Sequence, residues 1–199
     1  MVEIIYIHGL AANGTTMLPF KWYNQSGHTI TYNTSDRTLQ QMINEVDEKI
    51  LEIVKTKDTE LVLVGWSMGG LIANRLHQKD WKIKLAIYVA SPLNGASILS
   101  HLPVKPWNDI LDFLHKKEKE EEPPHEYHTY SLGWGILSFD GRVFIDDTKL
   151  NEEKHEHISF TEHCLSVLDF RVLNKVYNKI KEHVPYSLEK PPAIEELTC

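Results

Sequence analysis

Ser67 lies in the stretch LVLVGWSMGGLIANRL, Leu61 to Leu76, with Gly65 before it and Gly69 and Gly70 after it. The residues ahead of it, ELVLV, are apolar β-formers, and those behind it, LIANRL, suit a helix. A sharp strand-to-helix turn would lift the serine hydroxyl beyond the sheet edge, where it can attack an acyl carbonyl. Such a turn strains the backbone at the serine and crowds its neighbours, so glycines two residues before and after leave room for close chain approach. Gly65-Trp66-Ser67-Met68-Gly69 meets the Gly-x-Ser-x-Gly pattern in the strand–helix context it requires. The unpaired N–H groups and dipole of a helix starting at Met68 favour negative charge. The Met68 N–H would therefore stabilise the oxyanion formed when Ser67 attacks. His8-Gly9-Leu10, at the end of an earlier strand candidate, supplies a second donor, the Leu10 N–H, if the two strands are neighbours.

Elements able to hold these groups recur along the chain. Strand candidates are Val2–His8, His28–Asn33, Glu60–Gly65 and Lys82–Ala90, with Tyr127–Gly133 and Glu156–Phe160 further on. Runs such as LVLV and LAIYV are apolar on both faces, as in a parallel sheet covered by helices on both sides. Between them, Leu39, Met42, Ile43, Val46, Ile50, Ile53 and Val54 form one helical stripe, with Thr38 and Gln41 as a capping box. Leu71, Ile72 and Leu76 mark a second helix. Leu165, Leu168, Val172, Val176 and Ile180 mark a last one. This βα alternation predicts an open α/β sheet in a three-layer α/β/α sandwich.

The motifs YIHGL, GWSMGG, SFDGRV and TEHCLSV, in that order, resemble the α/β-hydrolase superfamily, in particular small lipases and esterases. The resemblance runs from Val2 to about Ile180. It departs from the superfamily in lacking the first two strands, since His-Gly arrives at once, so a compact, mostly parallel sheet of about six strands is expected. It implies a serine hydrolase with a Ser-Asp-His triad in the chain order serine, acid, histidine, acting on a carboxylic ester through an acyl-enzyme. The same machinery serves a thioesterase or an acyltransferase, and a non-catalytic binding protein could keep the fold alone.

The base should follow the last strand and precede the final helix. His163 does so, whereas His155 and His157 sit within or before the strand candidate and would point to sheet faces. Asp140, in an Asp-Gly turn that leaves its carboxylate at a strand end, matches the family's Asp-Gly-x-Val pattern. Asp146 and Asp147 are rivals that would alternatively cap a short helix over DDTKL. His155 and His157, two apart, share one strand face and form half a zinc site. No His-x-x-x-His helix pair or cysteine pair completes it. No metal or cofactor is expected.

With 199 residues, 42% of them apolar, the chain suits one domain with a sizeable core. The hydrolase domain is read as 1–183, with 97–126 as a lid or cap insertion and 184–199 as a tail. In the insertion, Trp107, Leu111 and Leu114 share a helical face, and with Trp66 they are the expected substrate-binding residues. The run KKEKEEEPP reads as a solvated helix end. A net charge of −7 without a Lys/Arg stripe argues against nucleic acid. No membrane span or signal segment is visible, and the two cysteines, Cys164 and Cys199, suggest no disulfide framework. A cytoplasmic protein acting on a small acyl ester is expected. Oligomeric state is not legible.

Overall fold

The computed structural model describes residues 2–35, 37–95, 120–133, 140 and 143–184. The Ser97–Leu114 region, with Trp107, Leu111 and Leu114, and the tail from 185 onward lie outside the described residues. Among the described residues, β1 (Val2–Ile7), β2 (His28–Ile30), β3 (Glu60–Trp66), β4 (Lys82–Val89), β5 (Tyr127–Gly133) and β6 (His155–Ser159) form one sheet. Its order is β2-β1-β3-β4-β5-β6, and every neighbouring pair is parallel.

Alternate side chains of each strand feed two cores. Ile5 and Ile7 of β1, Leu61 and Leu63 of β3 and Ala86 and Tyr88 of β4 face one side. There they meet Met42, Ile43, Val46 and Ile50 of α2 (Leu39–Val54) and Leu71 and Ile72 of α3 (Met68–Arg75). Ile4, Tyr6, Val62, Val64, Leu85 and Ile87 face the other side. Phe20 of α1 (Leu18–Asn24) and Val172, Val176 and Ile180 of the last described helix, Phe170–His183, cover them. Both faces are buried, which is why the strands read as continuous apolar runs. The expected capping box is present: Gln41 N–H donates to Thr38 Oγ1 at 3.2 Å, and Thr38 N–H to Gln41 Oε1 at 2.9 Å.

Two boundaries differ by more than one residue from the sequence reading. β2 stops at Ile30, because Thr31 and Tyr32 turn from the ladder to bond the loop after β1: Gly14 N–H donates to Thr31 Oγ1, and Tyr32 N–H to His8 Nε2. The final helix starts at Phe170, not Leu165. Asp169 caps it, accepting from Arg171 N–H at 2.9 Å, and Leu165–Val167 form a separate 3₁₀ turn. The inward residues of that turn are Ser166 and Val167, so Leu165 and Leu168 are 61% and 66% exposed rather than part of the core stripe. Among the described residues, α4 (Ile145–Thr148) falls between α3 and the helix Phe170–His183, which is α5. α4 is the helix predicted over DDTKL, but Asp146 and Asp147 lie in its first turn and Phe144 occupies the cap position.

The strand order places the site. From β1 the chain moves outward to β2, then returns to the far side of β1 as β3. At such a reversal the loops after the two central strands diverge and open a crevice at their carboxyl ends. Ile7 pairs with Gly65, so the residues after both lie side by side at the carboxyl end of the sheet.

Candidate active site

Ser67 is the one-residue joint between β3 and α3, with φ 55° and ψ −126°. A non-glycine residue there stores strain of about 1–3 kcal/mol, so its surroundings must enforce it. They do so from both sides: Ser67 N–H donates to Val89 O at 2.9 Å, and Gly70 N–H to Ser67 O at 3.0 Å. The bend folds α3 back onto β3 so tightly that a Cβ on Gly65 would lie 2.5 Å from Gly69 O and from Gly70 Cα.

The loop after β1 meets the elbow directly. A Cβ on Gly9 would lie 2.9 Å from Ser67 Cβ and 3.3 Å from Ser67 Oγ, so only glycine fits there without movement. His8 is buried and held at several atoms. Its Nδ1 donates to Gly9 O at 2.8 Å, and its Nε2 accepts from Tyr32 N–H at 3.3 Å. The Tyr32 hydroxyl donates to His8 O at 2.6 Å, and the two rings stack 4.2 Å apart. Burial holds the His8 imidazole below its ordinary pKa range, against an opposing pull from the Gly9 carbonyl. Further along, Ala11 N–H donates to Thr34 Oγ1 at 3.2 Å. Among the described residues, no group accepts from the N–H of Leu10 or of Met68.

Asp140 and His163 come from the loops after β5 and β6 and are hydrogen-bonded, Asp140 Oδ2 to His163 Nδ1 at 2.7 Å. The pair is 1% and 2% exposed. Asp140 Oδ1 accepts from Val143 N–H at 2.7 Å, and His163 N–H donates to Asp140 O at 2.9 Å, so both loops are fixed to each other. Because the carboxylate accepts, Nδ1 carries the proton, and in the neutral ring Nε2 bears the free lone pair. The His163 ring lies against Trp66, the residue before Ser67, with centroids 5.2 Å apart. Trp66 Nε1 donates to Ser166 Oγ at 3.2 Å, and the Ser166 hydroxyl donates to His163 O at 2.6 Å. The buried indole thus joins the elbow to the histidine loop.

Asp146 pairs with Lys149 at 3.5 Å, and Asp147 O accepts from Asn94 N–H at 2.8 Å. His155 and His157 do share a strand face, and each ring lies 3.0 Å from Ser131 Oγ. Burial, aided by Lys149, lowers the His155 pKa to about 4. Among the described residues, no group of three or more histidine, cysteine, aspartate or glutamate side chains is arranged to hold a metal ion. No helix among them is long and apolar enough to cross a membrane. Tyr32 falls inside the strand candidate His28–Asn33 and Ser166 carries no periodic signal, so the sequence marks neither.

Solved structures share the fold that carries these residues. The mature lipase BlEst2 of Bacillus licheniformis superposes with a TM-score of 0.63 at 16% identity, over 88% of this chain and 91% of that one. The chain has the α/β-hydrolase fold. A lipase-esterase related protein of Clostridium acetobutylicum shares the fold at TM-score 0.56 and 14% identity, over 92% of this chain and 94% of that one. So does the type II thioesterase BorB of the borrelidin biosynthetic cluster, at TM-score 0.57 and 12% identity, over 92% and 91%. In sequence, the profile of an uncharacterised protein family (UPF0227) matches residues 3–97. No curated protein matches the sequence. In an α/β-hydrolase fold the carboxyl edge of the sheet is where ligands bind, and here Ser67, Gly9, Asp140 and His163 all follow strands at that edge.

Proposed function

We propose that the chain is a serine hydrolase that cleaves a carboxylic ester. In this reading the Ser67 hydroxyl attacks the acyl carbonyl as His163 Nε2 takes its proton. Asp140 holds the imidazole in the Nδ1–H tautomer and stabilises its charged form. The Leu10 and Met68 N–H groups receive the oxyanion. The alcohol leaves with the proton from His163, and water, deprotonated by the same imidazole, releases the acid from Ser67. No cofactor takes part. The observation that carries the reading is the buried Asp140–His163 pair packed on Trp66, one residue from a serine in a strained strand-to-helix turn.

A thioester is the second reading, since the thioesterase BorB shares the fold at TM-score 0.57, beside 0.63 for the lipase BlEst2. A panel of p-nitrophenyl esters and acyl thioesters, with Ser67→Ala as blank, separates the two. Ester turnover that disappears in the variant supports the proposal. Turnover of thioesters alone would transfer the assignment to thioester hydrolysis, and turnover of neither by the folded wild type would favour a binding protein.

A further inference from the structure

We propose that Tyr32 positions the Leu10 N–H of the oxyanion site, acting through the His8 side chain. The inference rests on the hydrolase reading above, in which Leu10 is a donor to the oxyanion. The Gly9–Leu10 peptide lies beside the nucleophile, since the Cα of Gly9 is close enough that an added Cβ would be 3.3 Å from Ser67 Oγ. A trans peptide is planar, with its C=O and N–H on opposite edges, and the described residues contain no cis bond. Whatever holds the Gly9 carbonyl therefore aims the Leu10 N–H. That carbonyl accepts from His8 Nδ1 at 2.8 Å.

The bond forms only if the imidazole carries its proton on Nδ1, and Tyr32 selects that state. Its backbone N–H donates to His8 Nε2, which must then be the unprotonated nitrogen. Its ring stacks on the imidazole at 4.2 Å and fixes the plane. Its hydroxyl donates to His8 O at 2.6 Å and fixes the peptide just before Gly9. One tyrosine, twenty-four residues from His8, thus holds the backbone carbonyl, the ring plane and the tautomer of the histidine that aims the donor. The contacts of Tyr32 with this site are to His8, so it acts through that residue. It is a positioning residue, and it explains why the chain leaves the sheet after Ile30.

The test is steady-state hydrolysis of a p-nitrophenyl ester, with inhibition by a trifluoromethyl ketone that adds to a nucleophilic serine and places an oxyanion in the same spot. Tyr32→Phe removes only the hydroxyl. Outright loss of an oxyanion donor costs about 10²–10³ in kcat, so misaiming one is expected to lower kcat about tenfold. KM should stay within about twofold, and the ketone inhibition constant should rise by the factor lost in kcat. A pair at His8 gives a second measurement should Tyr32→Phe not fold. Asparagine can reproduce the Nδ1 donor and glutamine cannot, so His8→Asn should retain several-fold more kcat than His8→Gln. A purely structural role predicts a lower melting temperature with kcat and ketone affinity unchanged in Tyr32→Phe, and equal kcat in the two His8 variants. Either result would overturn the proposal. A wild-type chain that neither hydrolyses the ester nor binds the ketone would overturn the hydrolase reading, and this proposal with it.

Discussion

Gly9→Ala probes the contact between the two central loops. The added methyl would sit 2.9 Å from Ser67 Cβ, 3.2 Å from Trp66 Cε3 and 3.3 Å from Ser67 Oγ. Carbon atoms settle at about 3.5–4.0 Å, so the loop after β1 and the elbow must part by roughly 0.6 Å or more. Ser67 cannot simply give way, because its N–H is bonded to Val89 and its carbonyl receives Gly70 N–H. The loop moves instead and carries the Leu10 N–H with it. Overpacking of this kind costs about 1–3 kcal/mol of stability, a fall in melting temperature of roughly 2–12 °C for a chain of this size. The kinetic cost is comparable in free energy, because a displacement approaching 1 Å at a reacting centre is worth about 10²-fold. The assay is kcat/KM on a p-nitrophenyl ester together with thermal unfolding. A Gly9→Ala protein with kcat/KM within about twofold of wild type would refute the claim that this loop is part of the reacting centre.

Other changes probe other parts of the site. Asp140→Asn should leave the fold intact and lower kcat about 10⁴-fold by favouring the wrong imidazole tautomer, measured on the same ester. Ser166→Ala leaves the buried Trp66 N–H without its acceptor, which should cost about 1–3 kcal/mol in a urea titration. The same variant frees the His163 carbonyl and should lower kcat more than KM. Stability should also fall on acidification. Burial, chiefly, lowers the His128 and His155 pKa values to about 4, below the unfolded value of 6.5. Between these values the unfolded chain binds more protons, so stability present above pH 6.5 is lost as pH falls toward 4. Urea midpoints at pH 7 and pH 4.5 measure this, and His155→Gln should flatten the difference; an unchanged difference would assign the loss to other groups.

Much of the frame could be read from the chain because its signals are local. Thr38 and Gln41 cap α2 as their spacing requires, and the two-sided apolar runs of β3 and β4 follow from helices on both faces. Gly65, Ser67 and Gly69 are legible for the same reason: one bend, spanning five residues, demands them all. Leu165 and Leu168 continue the apolar spacing through a 3₁₀ turn whose inward face is offset, and the Asp169 cap marks the start of α5. Tyr32 could not be read at all. Its role depends on the loop after β1 returning beside it, a juxtaposition set by sheet order and by no residue near it in sequence. Ser166 is similar, since it acts on Trp66 from one hundred residues away.

The account turns on Ser67 as an activated nucleophile, and a fluorophosphonate probe reads that directly. Intact mass after labelling, with the modified peptide identified, should show one adduct per chain, on Ser67. The adduct should be absent in Ser67→Ala and form far more slowly in His163→Ala. Folded wild-type protein that takes up no probe, or takes it up at another residue at an undiminished rate in both variants, would contradict it.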